Sequence, residues 1–171
     1  MYQDIILKFP TSIAAGYASD SEELRQYIFE NAEKKCIVHY NKSDKYHFEI
    51  INAEQQTIHF VAIDNGIYPS SKKQKRCDCA VFNHSTICFI EIKRRTGTIG
   101  SILGEAKKQL IETISSVKLD FDKLENYELE AFASLGKGSY SPSLQTSFQD
   151  AMLEFELETG AVLYIDDQKA F

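Results

Sequence analysis

Two runs of apolar, β-compatible residues, 77–82 and 87–93, are separated only by Asn83-His84-Ser85-Thr86, and that spacing leaves the chain few choices. It predicts a tight antiparallel hairpin. Pairing Phe82 with Ile87 and continuing outward sets Asp78 directly opposite Glu91, and alternation brings Lys93 out on the same side. Ala80, Phe82, Ile87 and Phe89 share that face, while Cys79, Val81, Cys88, Ile90 and Ile92 fill the other. Both faces read as buried.

Charge is out of place at the end of such a hairpin. Two carboxylates roughly 5 Å apart in apolar surroundings suffer repulsion and desolvation unless a cation lies between them. A divalent metal resolves the conflict. An oxygen-rich site with few protein ligands and open water positions suits Mg²⁺, with Mn²⁺ as a substitute, and leaves room for phosphate oxygens. Lys93 would help to hold an attacking water or the charge developing on phosphorus, which makes phosphodiester hydrolysis feasible. The plainer alternative is an edge-strand salt bridge between Lys93 and the two acids.

At these residues the chain resembles the PD-(D/E)XK nuclease superfamily, which carries an acid on one strand and an acid-x-lysine signature on the next. The match is Asp78 followed by Glu91-Ile92-Lys93, with Cys77 in place of the signature proline. By element order the resemblance covers roughly residues 46–135. It implies a restriction-endonuclease-like fold, metal ligation by Asp78, Glu91 and the Ile92 carbonyl, and a catalytic Lys93. It also implies a polar residue on the following helix, for which Gln109 is the nearest equivalent, and a glutamate from the first helix, for which Glu23 is the best match. Asp64 rivals Asp78 as the first acid, but it belongs to an Asp-Asn-Gly turn, where aspartate is expected for backbone reasons.

The formal net charge of -6 excludes a protein that coats nucleic acid through its overall field, so phosphate contacts would need a local patch. Lys72, Lys73, Lys75 and Arg76 precede the Asp78 strand, and Arg94 and Arg95 follow Lys93. One end of the hairpin is thus expected to be basic and to contact a phosphate backbone, unless these residues form an ordinary solvated loop. Cys77, Cys79 and Cys88 are expected on one face, where zinc with Cys36 or a histidine can be imagined. Structural zinc favours loop-borne cysteine pairs, so packing is the better reading.

The 171-residue chain reads as one domain spanning 1–171, since its 43% hydrophobic and 26% charged residues are spread throughout. Ser19-Asp20-Ser21-Glu22-Glu23 resembles a helix start and predicts a helix over 20–34. Runs 46–51 and 57–63 predict a further hairpin. Leu103, Ala106, Leu110, Ile114 and Val117 predict a helix over 101–117, followed by a strand over 127–135. Residues 144–157 have helical character ended by Gly160, and 161–165 reads as a last strand. The order αββββαβαβ is an α/β or α+β mixed sheet flanked by helices.

The function expected from these readings is that of a Mg²⁺-dependent endonuclease acting on DNA or RNA, DNA before RNA, in antiviral defence or nucleic-acid processing. The class alternatives are a catalytically inactive nuclease-fold subunit that binds nucleic acid or a protein partner, and an unrelated interaction domain. A homodimer or a place in a larger complex would suit cutting of both strands. Apolar runs of only a few residues and cysteines placed as small hydrophobes predict a cytoplasmic protein without a membrane span.

Overall fold

The computed structural model describes residues 1–42, 45–69, 74–93, 98–121, 124–136 and 146–171. In chain order the elements are α1 (Tyr2–Lys8), β1 (Ala18–Ser21), β2 (Arg25–Glu30), β3 (Cys36–His39), β4 (Phe48–Ile51), β5 (Ile58–Ala62), β6 (Cys79–Phe82), β7 (Thr86–Ile92), α2 (Ile99–Asp120), β8 (Glu128–Ser134), α3 (Thr146–Thr159), β9 (Val162–Tyr164) and β10 (Gln168–Ala170). Among the described residues these make a mixed α/β fold with two mixed sheets and three α-helices. The larger sheet runs β1-β5-β6-β7-β8-β9, antiparallel as far as β7 and parallel beyond it. The smaller runs β10-β4-β2-β3.

The hairpin expected from the sequence is β6–β7, with Phe82 opposite Ile87 and Cys79 opposite Ile90. It lies at the centre of the larger sheet, and every residue of both strands is buried. Ala80, Phe82, Ile87 and Phe89 pack against Leu110, Ile114 and Val117 of α2, together with Ile5 of α1 and Phe155 of α3. On the other face Cys79, Val81, Cys88, Ile90 and Ile92 pack against Ile28, Phe48 and Ile50 of the smaller sheet. The doubly apolar pattern of the hairpin thus follows from its place between a helical layer and a second sheet.

The helix α2 carries its buried residues at helical spacing and begins at Thr98, whose side chain accepts a hydrogen bond from the Ser101 N–H. The strand β8 and the helix α3 fall where the sequence places them, and Gly160 closes α3 with φ +68°. No helix among the described residues is long and apolar enough to cross a membrane.

Three expectations are corrected. Residues 20–34 form no helix: β2 spans Arg25–Glu30, because Gln26-Tyr27-Ile28-Phe29 satisfies its backbone between β3 and β4. The polar stretch before it resembles a helix cap, yet strand pairing decides the outcome. Runs 46–51 and 57–63 do contain β4 and β5, but these strands join different sheets and form no hairpin. Fully buried Asn52 explains the crossing, since its side chain takes both the carbonyl and the N–H of Gln56 and closes the connection on itself. Finally, Cys77 does not share a face with Cys79 and Cys88; it packs with the α2 side. Among the described residues the order therefore has seven strands between α1 and α2, and a tenth strand after β9.

Candidate metal centre

The open end of the hairpin departs from the regular ladder at one residue. The Asp78 N–H donates to the Ile90 carbonyl at 3.1 Å, although Ile90 is already opposed by Cys79. Two residues of one strand thus face one of the other, which is a β-bulge. Strict pairing of Asp78 with Glu91 is therefore not observed. The bulge turns Cys77 toward α2, where its N–H donates to the Thr113 hydroxyl at 2.7 Å. It also lets the Asp78 carboxylate reach across to accept the Ile92 N–H at 2.6 Å.

Convergence of the three residues survives this shift. Lys93 Nζ lies 2.9 Å from Glu91 Oε1, and the Asp78 and Glu91 carboxylates are close enough for the charge of one to suppress ionisation of the other. Burial pushes Asp78 up to about 7, reinforced by Glu30 and opposed by the Ile92 N–H and the Lys93 ammonium. Burial, then Asp78, hold Glu91 well above the usual carboxylate range, with Lys93 acting the other way. Glu91 is 2% exposed, and its Oε2 has no hydrogen-bond partner among the described residues. A buried, unpartnered carboxylate oxygen is rare in folded proteins and calls for a cause.

The Ile92 carbonyl belongs to the same corner. The Lys93 N–H donates to the Ser134 carbonyl on β8, and across a trans peptide the preceding carbonyl points the opposite way, toward Asp78. The Asp78 and Glu91 carboxylates and the Ile92 backbone thus meet at the open end of β6–β7. No group of three or more His, Cys, Asp or Glu side chains arranged to hold a metal ion is present among the described residues. Magnesium requires no such group, because it is commonly held by one or two carboxylates with water completing its octahedron. The donor set and the orphaned Glu91 oxygen fit a hard divalent cation.

Gln109 of α2 joins the site. Its Oε1 accepts from Lys93 Nζ, while its Nε2 donates to the Arg76 carbonyl at 3.0 Å, tying the helix to the chain entering β6. Glu23 does not join it: the residue lies in the exposed link between β1 and β2, where its N–H donates to Ser21 Oγ. The carboxylate that arrives from the N-terminal region is instead Glu30, at the end of β2, which acts electrostatically on both Asp78 and Asp64. A helical reading of 20–34 hides it. Asp64 also belongs here, since its N–H donates to the Cys77 carbonyl at 3.2 Å and that of Ile63 to the Asp78 carbonyl at 2.9 Å. Its turn role and its place beside Asp78 hold together, and burial raises its pKa as well.

Of the expected phosphate contacts, Lys72, Lys73, Arg94 and Arg95 lie outside the described residues. Lys75 is exposed beside the site. Arg76 is turned inward: its guanidinium stacks 4.4 Å from the Tyr68 ring and donates to Gln74. Its charge acts on Asp64 and Asp120.

Comparison with protein-family models, with curated proteins and with solved structures returned no match to this chain.

Proposed function

We propose that this protein is a divalent-metal-dependent nuclease that hydrolyses phosphodiester bonds of DNA or RNA at the open end of β6–β7. One observation carries the reading: an otherwise apolar, fully buried hairpin ends in Asp78, Glu91 and Lys93, with one Glu91 oxygen left unpartnered among the described residues. Native proteins keep such a conflict where the group has work to do. Its similarity to the acid…acid-x-lysine arrangement of the PD-(D/E)XK nucleases, within a mixed sheet backed by a helix, favours phosphoryl chemistry over other metal-assisted hydrolysis.

Asp78, Glu91 and the Ile92 carbonyl are the metal-holding groups in this account. A bound Mg²⁺ or Mn²⁺ supplies a polarised phosphate and a more acidic water. Lys93 holds that water or a non-bridging phosphoryl oxygen, and offsets charge growing on it. Gln109 fixes the Lys93 side chain against α2 and fixes α2 against the Arg76 backbone. Lys75, and the basic residues 72, 73, 94 and 95, then supply contacts to the phosphate backbone that position a strand without reading its bases.

A second reading is an inactive nuclease-fold subunit that binds nucleic acid or a protein partner. The Lys93 ammonium favours it, since its contacts with Glu91 and Gln109 already neutralise part of the site from within. Incubation with plasmid and single-stranded substrates separates the two. The enzyme cuts with Mg²⁺ or Mn²⁺, is silent in chelator, and loses activity in Lys93→Ala; the inactive subunit cuts under none of these conditions.

A further inference from the structure

We propose that Lys93 is the protein's own placeholder for the divalent cation: its ammonium occupies the Glu91 carboxylate in the metal-free protein and must leave it when a metal ion enters. The proposal rests on the metal-centre reading above and adds a regulated exchange to it.

The geometry is that of a three-way fork. Lys93 Nζ lies 2.9 Å from Glu91 Oε1, is hydrogen-bonded to Gln109 Oε1, and lies 3.9 Å from Glu105 Oε2. Glu91 is almost wholly buried, whereas Glu105 is mainly exposed, and Glu105 and Gln109 stand one turn apart on the same face of α2. One branch of the fork thus leads into the sheet and the other two lead out along the helix.

Like charges decide which branch is used. A dication bound to the unpartnered Glu91 Oε2 would lie only a few ångströms from an ammonium still seated on Oε1, in surroundings too apolar to screen their repulsion. Movement of Nζ toward Glu105 relieves it, with Gln109 kept as a pivot because its own amide is anchored to the Arg76 carbonyl at 3.0 Å. The displaced ammonium then faces the solvent side of the site, where a phosphate would approach. Metal entry and placement of the lysine for substrate become one event, and without metal the buried acid is not left bare.

Titration calorimetry of the full chain with Mn²⁺ alone tests this without relying on cleavage. Lys93→Met should bind Mn²⁺ at least about tenfold more tightly than the wild type, because the competitor is gone. Glu105→Gln, which removes the carboxylate that receives the ammonium, should bind about two- to threefold more weakly. Affinity in Lys93→Met equal to or weaker than wild type overturns the placeholder role, and Lys93→Gln carries the same test should the methionine variant not fold. Asp78→Asn separates the two levels of failure. If it abolishes Mn²⁺ binding while Lys93→Met leaves affinity unchanged, the metal centre stands and the placeholder falls. If neither wild type nor Lys93→Met binds Mn²⁺, both fall.

Discussion

The two ends of the β6–β7 hairpin are built on opposite principles. At the turn, Asn83 satisfies its side chain and its N–H: its Oδ1 accepts the N–H groups of Ser85 and Thr86 at 2.9 and 2.8 Å and the Ser85 hydroxyl at 3.3 Å, its Nδ2 donates to Gln56 at 3.0 Å, and its own N–H reaches the Thr86 carbonyl at 3.1 Å. Four strand residues away, the ladder breaks into a bulge, two acids with raised pKa values lie close enough to repel, and a carboxylate oxygen is buried without a partner among the described residues. The turn obeys the rule that buried polar groups are satisfied, and the open end violates it. The same two strands thus show where the fold is made stable and where stability is given up for chemistry.

The largest effect that sharpens this contrast is on activity. Asp78→Asn or Glu91→Gln should lower Mg²⁺-dependent cleavage by about 10³-fold or more, since metal assistance contributes several kcal/mol and each 1.36 kcal/mol is tenfold in rate. Rates on a labelled oligonucleotide at saturating Mg²⁺ provide the check. Equal rates in wild type and both variants would remove the distinction between the ends.

Next in size is a backbone effect at the turn that sets Asp64 beside Asp78. A Cβ on Gly66 would lie 2.1 Å from the Ala62 carbonyl oxygen, so the turn cannot keep its path with any larger residue. Gly66→Ala should cost about 2–3 kcal/mol and lower the thermal midpoint by roughly 4–10 °C. It should weaken Mn²⁺ binding as well if Asp64 supports the site.

Acidity gives a third test, and its sign is opposite to that of a salt-bridged carboxylate. Asp78 sits at about 7 in the folded chain against its usual value near 4. The folded state therefore holds more protons than the unfolded one across that interval, and its stabilising contribution is lost as pH rises from about 4 through 7. Metal-free Asp78→Asn should lack this loss. At pH 8 its thermal midpoint should exceed that of wild type by roughly 3–8 °C, taking about 1–2 kcal/mol of desolvation relieved. Melting curves at pH 5 and pH 8 in chelator measure the difference, and a variant less stable than wild type at pH 8 would contradict it.

The smallest effect belongs to the turn. Asn83→Ala removes four side-chain hydrogen bonds and should cost about 1–2 kcal/mol in chemical denaturation. Mn²⁺ affinity should not change, because the acids lie at the far end of the strands.

How much of this was legible in the sequence depends on the range over which each signal acts. The register from Cys79 to Phe82, the two apolar faces and α2 are readable, because period-2 and helical spacing act over a few residues; Gln109 is singled out only through the resemblance. The bulge at Asp78 leaves no such trace: it goes with a contact between distant segments, the Cys77 N–H donating to the Thr113 hydroxyl. Glu30 is concealed for a related reason. Ser19–Glu23 looks like a helix cap, and only pairing of β2 with β3 and β4 shows that Glu30 ends a strand directed at the site. Asp64 illustrates a third limit, since a residue explained by its turn can also stand beside the reacting groups.

Anomalous diffraction from crystals soaked in Mn²⁺ addresses the central claim most directly. A peak is expected between the Asp78 and Glu91 carboxylates, about 2.2 Å from an oxygen of each and near the Ile92 carbonyl. Crystals saturated with Mn²⁺ that show no peak there, with Glu91 Oε2 still unpartnered, would contradict it.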